Sequence, residues 1–222
     1  MRQNGIFSKI FGSKGHVELI KRSQDFLKYL LHEDILSVED FQIIWSGSTK
    51  GDMETKLAVY KVLSDISLHL KAGHLDHLIT KISEIPPQDI IAEEIELVFE
   101  MCKFSIKPAW FIQKARDFYW QIISDDAGVY ASAIVDLTLA KFCDIMKGSD
   151  FKEDRINVLY DCVENINKGT SVLCSLKIMK RLIDHYPTSP ASAEKYTKGS
   201  CVDHLCKEKD LLEVIIKVFF FL

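Results

Sequence analysis

The sequence predicts an all-α chain, an armadillo/HEAT-like right-handed solenoid of about five stacked helix pairs, and three observations carry that expectation. Apolar residues recur at i, i+4, i+7 and i+11, the spacing that sets side chains on one face of an α-helix. No comparable run of strict alternation marks a strand. Counted as pairs, the helical segments begin near residues 16, 52, 89, 127 and 170, a rhythm close to that of two- and three-helix repeats.

Each segment has its own justification. Residues 1–15 read as a flexible N-terminal segment; Arg2, Lys9 and Lys14 around Ile6, Phe7, Ile10 and Phe11 resemble an amphipathic import signal, but the stretch lacks a secretory apolar core and is short for a transit peptide. Leu19, Phe26 and Leu30, with Ile20, Leu27 and Leu31 beside them, mark a helix from about His16 to Asp34. Ser37 caps a helix running to about Trp45, and Asp52 with Glu54 places carboxylates at the electropositive start of the next. That helix carries Val59, Leu63, Ile66 and Leu70, and Gly73 is expected to end it in the left-handed region. Pro86 and Pro87 stop the following helix, and Pro108 precedes another. Between them lies the stripe Ile91, Ile95, Val98 and Cys102. Gly128 and Gly148 bracket the stripe Val135, Leu139, Phe142 and Met146; Asp150 and Glu153 have capping-box spacing before Ile156, Leu159, Val163 and Ile166. Gly169 ends that helix, and Thr170 and Ser171 cap the next, whose stripe Val172, Leu176, Met179 and Ile183 is joined by a second apolar face of Leu173, Ile178 and Leu182. The repeats therefore occupy residues 16–186, residues 187–199 form a loop, and residues 200–222 form a further helix. Its end, Val218 to Leu222, has no cap and no polar residue, whereas a terminal solenoid repeat is expected to be polar outside; the sequence is expected to be a piece of a longer protein or an incomplete gene model.

Composition bounds the function. With 222 residues, 47% hydrophobic, and only 10 Gly and 5 Pro, the chain can bury a large core and is not disordered. A formal charge of -4 gives no footprint for a phosphate backbone, so no nucleic-acid partner is expected. The longest apolar stretch, Val214 to Leu222, is interrupted by Lys217 and is far short of the roughly 20 residues that span a bilayer, so no membrane span is expected. Six scattered cysteines in a chain of this size read as reduced thiols, and the expected location is cytoplasmic.

Residues with chemical potential read mostly as structural. His69, His74 and His77 lack a fixed third ligand geometry, and Cys201, His204 and Cys206 lack a second ligand pair, so no metal site is assigned. Cys102, Cys143, Cys162 and Cys174 lie mid-helix, where a thiol stays protonated. Neither GxGxxG nor GxxxxGK[ST] occurs, and no cofactor is expected. Glu93, Glu94 and Glu96, and Asp125 with Asp126, read as solvated faces or helix-dipole partners. Trp45, Trp110, Phe111, Phe118, Tyr119 and Trp120 read as core. No catalytic residue is assigned.

The stretch Leu31 to Ser67, followed by Ala72 to Ile85, resembles the helical region of very large ubiquitin-specific proteases of the fat facets type. The matching pieces are Leu36 to Trp45, in which Glu39 and Asp40 precede Ile44-Trp45, the helix start Gly51 to Glu54, and the run Leu75, Asp76, His77, Leu78; a late Asp203, His204, Leu205 agrees. The resemblance implies an armadillo-like scaffold outside the catalytic domain of a deubiquitinating cysteine protease. That family's Cys box, with a Gly-Asn-Thr-Cys core, and its His box do not occur here, so this chain is expected not to be an enzyme. The implied partners are other proteins: the parent catalytic domain, substrates or adaptors. A free-standing armadillo or HEAT adaptor is the alternative, and an all-α enzyme using His69 to His77 is a third.

Overall fold

Every regular element among the described residues is helical. The computed structural model describes residues 5–12, 15–103, 107–148, 151–190 and 194–221, the side chains of residues 50 and 219–221 excepted. The chain forms two compact units, Met1–Phe118 and Tyr119–Leu222.

In the first unit the helices are α1 (Ile6–Phe11), α2 (Val17–Arg22), α3 (Gln24–His32), α4 (Val38–Lys50), α5 (Met53–Ile66), α6 (Ala72–Ser83) and α7 (Ala92–Cys102). The next helix, α8 (Ala109–Ile123), contains the division. Alternate helices stack: α1 on α4 and α4 on α6 form one layer, α2 on α5 and α5 on α7 the other, and α4 packs along α5 between the layers. This is the solenoid arrangement, in which each helix pair covers its neighbours. The expected stripe explains the inner position of α5, since Val59, Leu63 and Ile66 are all fully buried and each contributes about 1.5–3 kcal/mol relative to exposure.

Several boundaries differ from the sequence expectation. The single helix expected from His16 to Asp34 is two, broken at Ser23, whose hydroxyl donates to the Ile20 carbonyl at 2.7 Å. A serine hydroxyl that bonds back to its own helix competes with the regular ladder. Ser37 caps as expected, in a capping box with Asp40, but α4 runs on past Trp45 to Lys50 because nothing before Gly51 breaks it. Asp52 accepts from the Thr55 N–H at 2.8 Å. Gly73 does not end α5. That helix tightens into a 3₁₀ turn at Ser67–His69, and Gly73 lies in the first turn of α6, where an added Cβ would sit 3.3 Å from Val38 Cγ2. Residues 1–15, expected to be flexible, contain α1, whose Phe7 and Phe11 are buried; residues 1–4 and 13–14 of the import-like stretch lie outside the described residues.

The second unit contains α9 (Ser132–Met146), α10 (Lys152–Lys168), α11 (Val172–Ile183), α12 (Lys198–Lys209) and α13 (Leu211–Phe221). Here α9 stacks on α11, α12 and α13 stack on α10, and α10 packs along α11. Gly169, at φ 71°, closes α10 in the left-handed region as expected. Asp150, half of the expected capping box, lies outside the described residues. Ser171 precedes α11 without capping it: its hydroxyl donates to the Ser124 carbonyl at 3.2 Å and its N–H to Asp126 at 2.7 Å. The two-sided burial expected of α11 is one-sided, with Ser175, Ile178, Met179 and Leu182 inside and Leu173 65% exposed. The single C-terminal helix is split by Asp210, at φ 50°, into α12 and α13; the side chains at the apolar end from Phe219 lie outside the described residues.

The five starts counted from the sequence, 16, 52, 89, 127 and 170, correspond to α2, α5, α7, α9 and α11, which begin at 17, 53, 92, 132 and 172.

Candidate interaction groove and its polar supports

In the first unit, the second half of α4, the first turns of α5 and the end of α6 enclose an open groove of about 680 Å³. Gln42, Trp45, Ser46 and Thr49 reach it from α4 because i, i+3, i+4 and i+7 share one helix face. Asp52, Met53, Lys56 and Tyr60 reach it from the start of α5, and Lys81, Glu84, Ile85, Pro86 and Asp89 from the exit of α6. Its placement follows from local chain signals: Asp52 caps α5 immediately after the Gly51 turn, and Pro86 cannot continue α6, so two chain reversals flank the cleft.

The floor is fixed by a buried carboxylate. Glu94 is fully buried on α7, yet three donors satisfy it: the Tyr60 hydroxyl at 2.8 Å, the Lys56 ammonium at 3.0 Å and the Ile91 N–H at 2.8 Å. Burial and the adjacent Glu94 charge push the Tyr60 hydroxyl far above the ordinary phenol range, so it remains a donor. Trp45 packs against Tyr60 with ring centroids 5.6 Å apart, and the Lys56 ammonium lies 5.6 Å from the Tyr60 ring centre. Of the two expected roles, solvated face or helix-dipole partner, Glu94 takes the second, in the first turn of α7, and it also locks α5 to α7 under the groove.

A second buried charge organises the other unit. Arg155 is fully buried near the start of α10 and donates to the carbonyls of Met146 at 2.9 Å, Lys147 at 3.2 Å and Gly148 at 3.4 Å. Met146 and Lys147 stand at the end of α9, where carbonyls have no partner within the helix, and the Gly148 carbonyl also accepts from the Phe151 N–H at 3.2 Å. The same guanidinium reaches Glu194 at 3.3 Å and lies 5.1 Å from the Tyr186 ring centre, tying the loop after α11 to α10. Asp125 and Asp126, expected as solvated faces or helix-dipole partners, accept from the backbone N–H groups of Tyr130 and Ser171, both at 2.7 Å, and Ser171 precedes α11, so Asp126 stands at the start of that helix.

The other residues of chemical interest are engaged structurally. The His74 ring donates from Nε2 to the Leu36 carbonyl at 3.1 Å, accepts at Nδ1 from the Lys71 N–H at 3.3 Å, and stacks on Phe41. His204 bonds the Tyr160 hydroxyl at 2.5 Å and packs against Tyr196. Among the described residues, no group of three or more His, Cys, Asp or Glu side chains could hold a metal ion. Burial pushes the Cys102 thiol up to about 12 and those of Cys143 and Cys201 up to about 11, away from nucleophilic use. Trp45, Phe111, Phe118 and Tyr119 are core as expected, but Trp110 is 38% exposed with the Lys114 ammonium 5.5 Å from its ring.

No described helix is long and apolar enough to cross a membrane. A comparison with curated proteins finds no match. The family described as "UBP24/USP9X/USP9Y ARM repeat" matches residues 1–220, nearly the full sequence. Its repeat architecture agrees with the two stacked helix layers of each unit. The chain belongs to the UBP24/USP9X/USP9Y ARM repeat family, as an armadillo-like, all-α and non-catalytic helical segment of a deubiquitinase of that type.

Proposed function

We propose that the parent protein is a cysteine-type ubiquitin-specific protease of the cytoplasm, and that this segment is a scaffold that binds and positions protein partners for deubiquitination. The family match over residues 1–220 carries the reading. The raised thiols of Cys102, Cys143 and Cys201 support a role without nucleophilic chemistry, and a solenoid's long side-chain surface suits protein partners. The formal charge of -4 supports partners other than nucleic acid. The match disfavours a free-standing adaptor. Two measurements test the proposal. The transcript downstream of Leu222 is expected to continue in frame into a Cys box; an in-frame stop with no protease domain would overturn it. In the full-length protein, deleting the segment is expected to leave cleavage of a minimal ubiquitin fluorophore unchanged while reducing the set of proteins that co-purify; an unchanged set would remove the scaffold role.

A further inference from the structure

The connection from α11 to α12 carries a motif that the scaffold reading leaves unused. Of the 5 prolines in the chain, Pro190 alone follows a hydroxyl residue, in the run Pro187, Thr188, Ser189, Pro190. The neck of this connection is tied at several points. The Lys198 N–H donates to the Pro187 carbonyl at 2.9 Å, the Lys198 ammonium pairs with Asp184 at 3.2 Å, and the Tyr196 ring meets Tyr186 edge-on with centroids 6.2 Å apart. Glu194 adds its contact with the buried Arg155 at 3.3 Å. Beyond the neck, Thr188, Ser189 and Pro190 are all exposed and belong to no helix. Among the described residues the Ser189 hydroxyl has no hydrogen-bond partner. A closed base with exposed residues beyond it is the arrangement of an Ω-loop, a kind of loop that frequently carries function.

A protein kinase draws several residues around the accepting hydroxyl into its cleft, and an acceptor inside a helix would first have to open that helix. Ser189 carries no such cost. Pro190 biases Ser189 towards extended backbone and has no N–H, so a cleft that takes the segment needs no hydrogen-bond acceptor at that position. Pro187 restricts the backbone on the other side of the hydroxyl. We propose that Ser189 is a phosphorylation site for a proline-directed serine/threonine protein kinase. In the transfer, Ser189 Oγ forms a bond to the γ-phosphorus of ATP while the bond from that phosphorus to the β,γ-bridging oxygen breaks. ADP leaves, and the hydroxyl proton passes to the catalytic aspartate of the kinase. The loop gains a charge of about −1.5 to −2 and three strong acceptor oxygens.

The site stands apart from the scaffold reading, and either can fail alone. The whole chain is incubated with ATP and an active mitogen-activated or cyclin-dependent protein kinase, both proline-directed, and peptide mass spectrometry places the phosphate. The expected product carries it on Ser189. Ser189→Ala abolishes that transfer, Thr188→Ala leaves it unchanged, and Pro190→Ala slows it roughly tenfold, the order of the penalty for one N–H left without a partner. All three substitutions lie at exposed positions, and circular dichroism checks that the helices persist. The native chain is expected to react as fast as the heat-denatured chain; uptake only after denaturation would overturn the proposal, because the folded loop would not present the hydroxyl. Phosphate placed only on other residues, an equal rate in Pro190→Ala, or no transfer by either kinase would overturn it as well.

Discussion

Glu94 and Arg155 are fully buried charges on which local order depends, and both were hidden in the sequence for the same reason. Arg155 occupies the first slot of an otherwise apolar series with Leu159, Cys162 and Ile166, and Glu94 the first slot before Val98 and Met101. A charged residue heading an apolar stripe was the available signal; local charge clustering pointed to solvent instead. Lys56→Met leaves the Glu94 carboxylate without its cation and is expected to destabilise by about 3–5 kcal/mol in urea unfolding, whereas Lys56→Met/Tyr60→Phe/Glu94→Leu together are expected to lose less than that single change. His74 adds a pH dependence. Desolvation holds its pKa below the ordinary value, and the Lys71 N–H needs Nδ1 unprotonated. Because the unfolded chain takes up this proton first, the His74 contribution is complete above about pH 6.5 and is lost as pH falls through the lower folded value. Unfolding followed between pH 7.5 and 5 is expected to show that loss, with a shallower slope in His74→Gln; equal slopes would exclude His74 as its source.

At the scale of elements, caps written in the sequence were legible and breaks caused by side-chain competition were not. Ser37, Asp52 and Gly169 work where their residue types place them, because a cap needs only local geometry. The interruptions at Ser23 and Asp210 occur in stretches whose apolar pattern continues past them, so periodicity alone joined what the backbone divides. Gly73 misled for a related reason, since a glycine allows either a left-handed turn or a close packing contact. Two glycines inside helices give a matched experiment. At Gly47 an added Cβ would lie 2.8 Å from the Phe11 carbonyl oxygen, a backbone atom of α1. At Gly73 the nearest atom is a methyl of Val38, which is 38% exposed and free to give way. Gly73→Ala is expected to be neutral or up to about 1 kcal/mol stabilising through helix propensity. Gly47→Ala is expected to destabilise by about 1–3 kcal/mol despite the same propensity gain, as measured by thermal or urea unfolding.

At the scale of the whole molecule, the repeat rhythm was the most legible feature because five successive units must each present the same spacing of buried faces. The groove was not legible, since its walls come from residues 42 to 89 and no local pattern unites them. Composition alone supports one global expectation: in a mobility-shift assay at 150 mM salt the chain should not retain duplex DNA, and micromolar retention would contradict the charge argument. The Glu94 lock has a further consequence for assembly. Apolar stripes present nearly the same profile after a slip of one helical turn, about 5.4 Å, so greasy faces tolerate several alignments of neighbouring helices. A carboxylate that must meet a hydroxyl and an ammonium on α5 while holding the Ile91 N–H tolerates only one. Glu94 thus acts as an indexing pin: hydrophobic burial makes α5 and α7 adhere, and the polar contact dictates which rung of one meets which rung of the other.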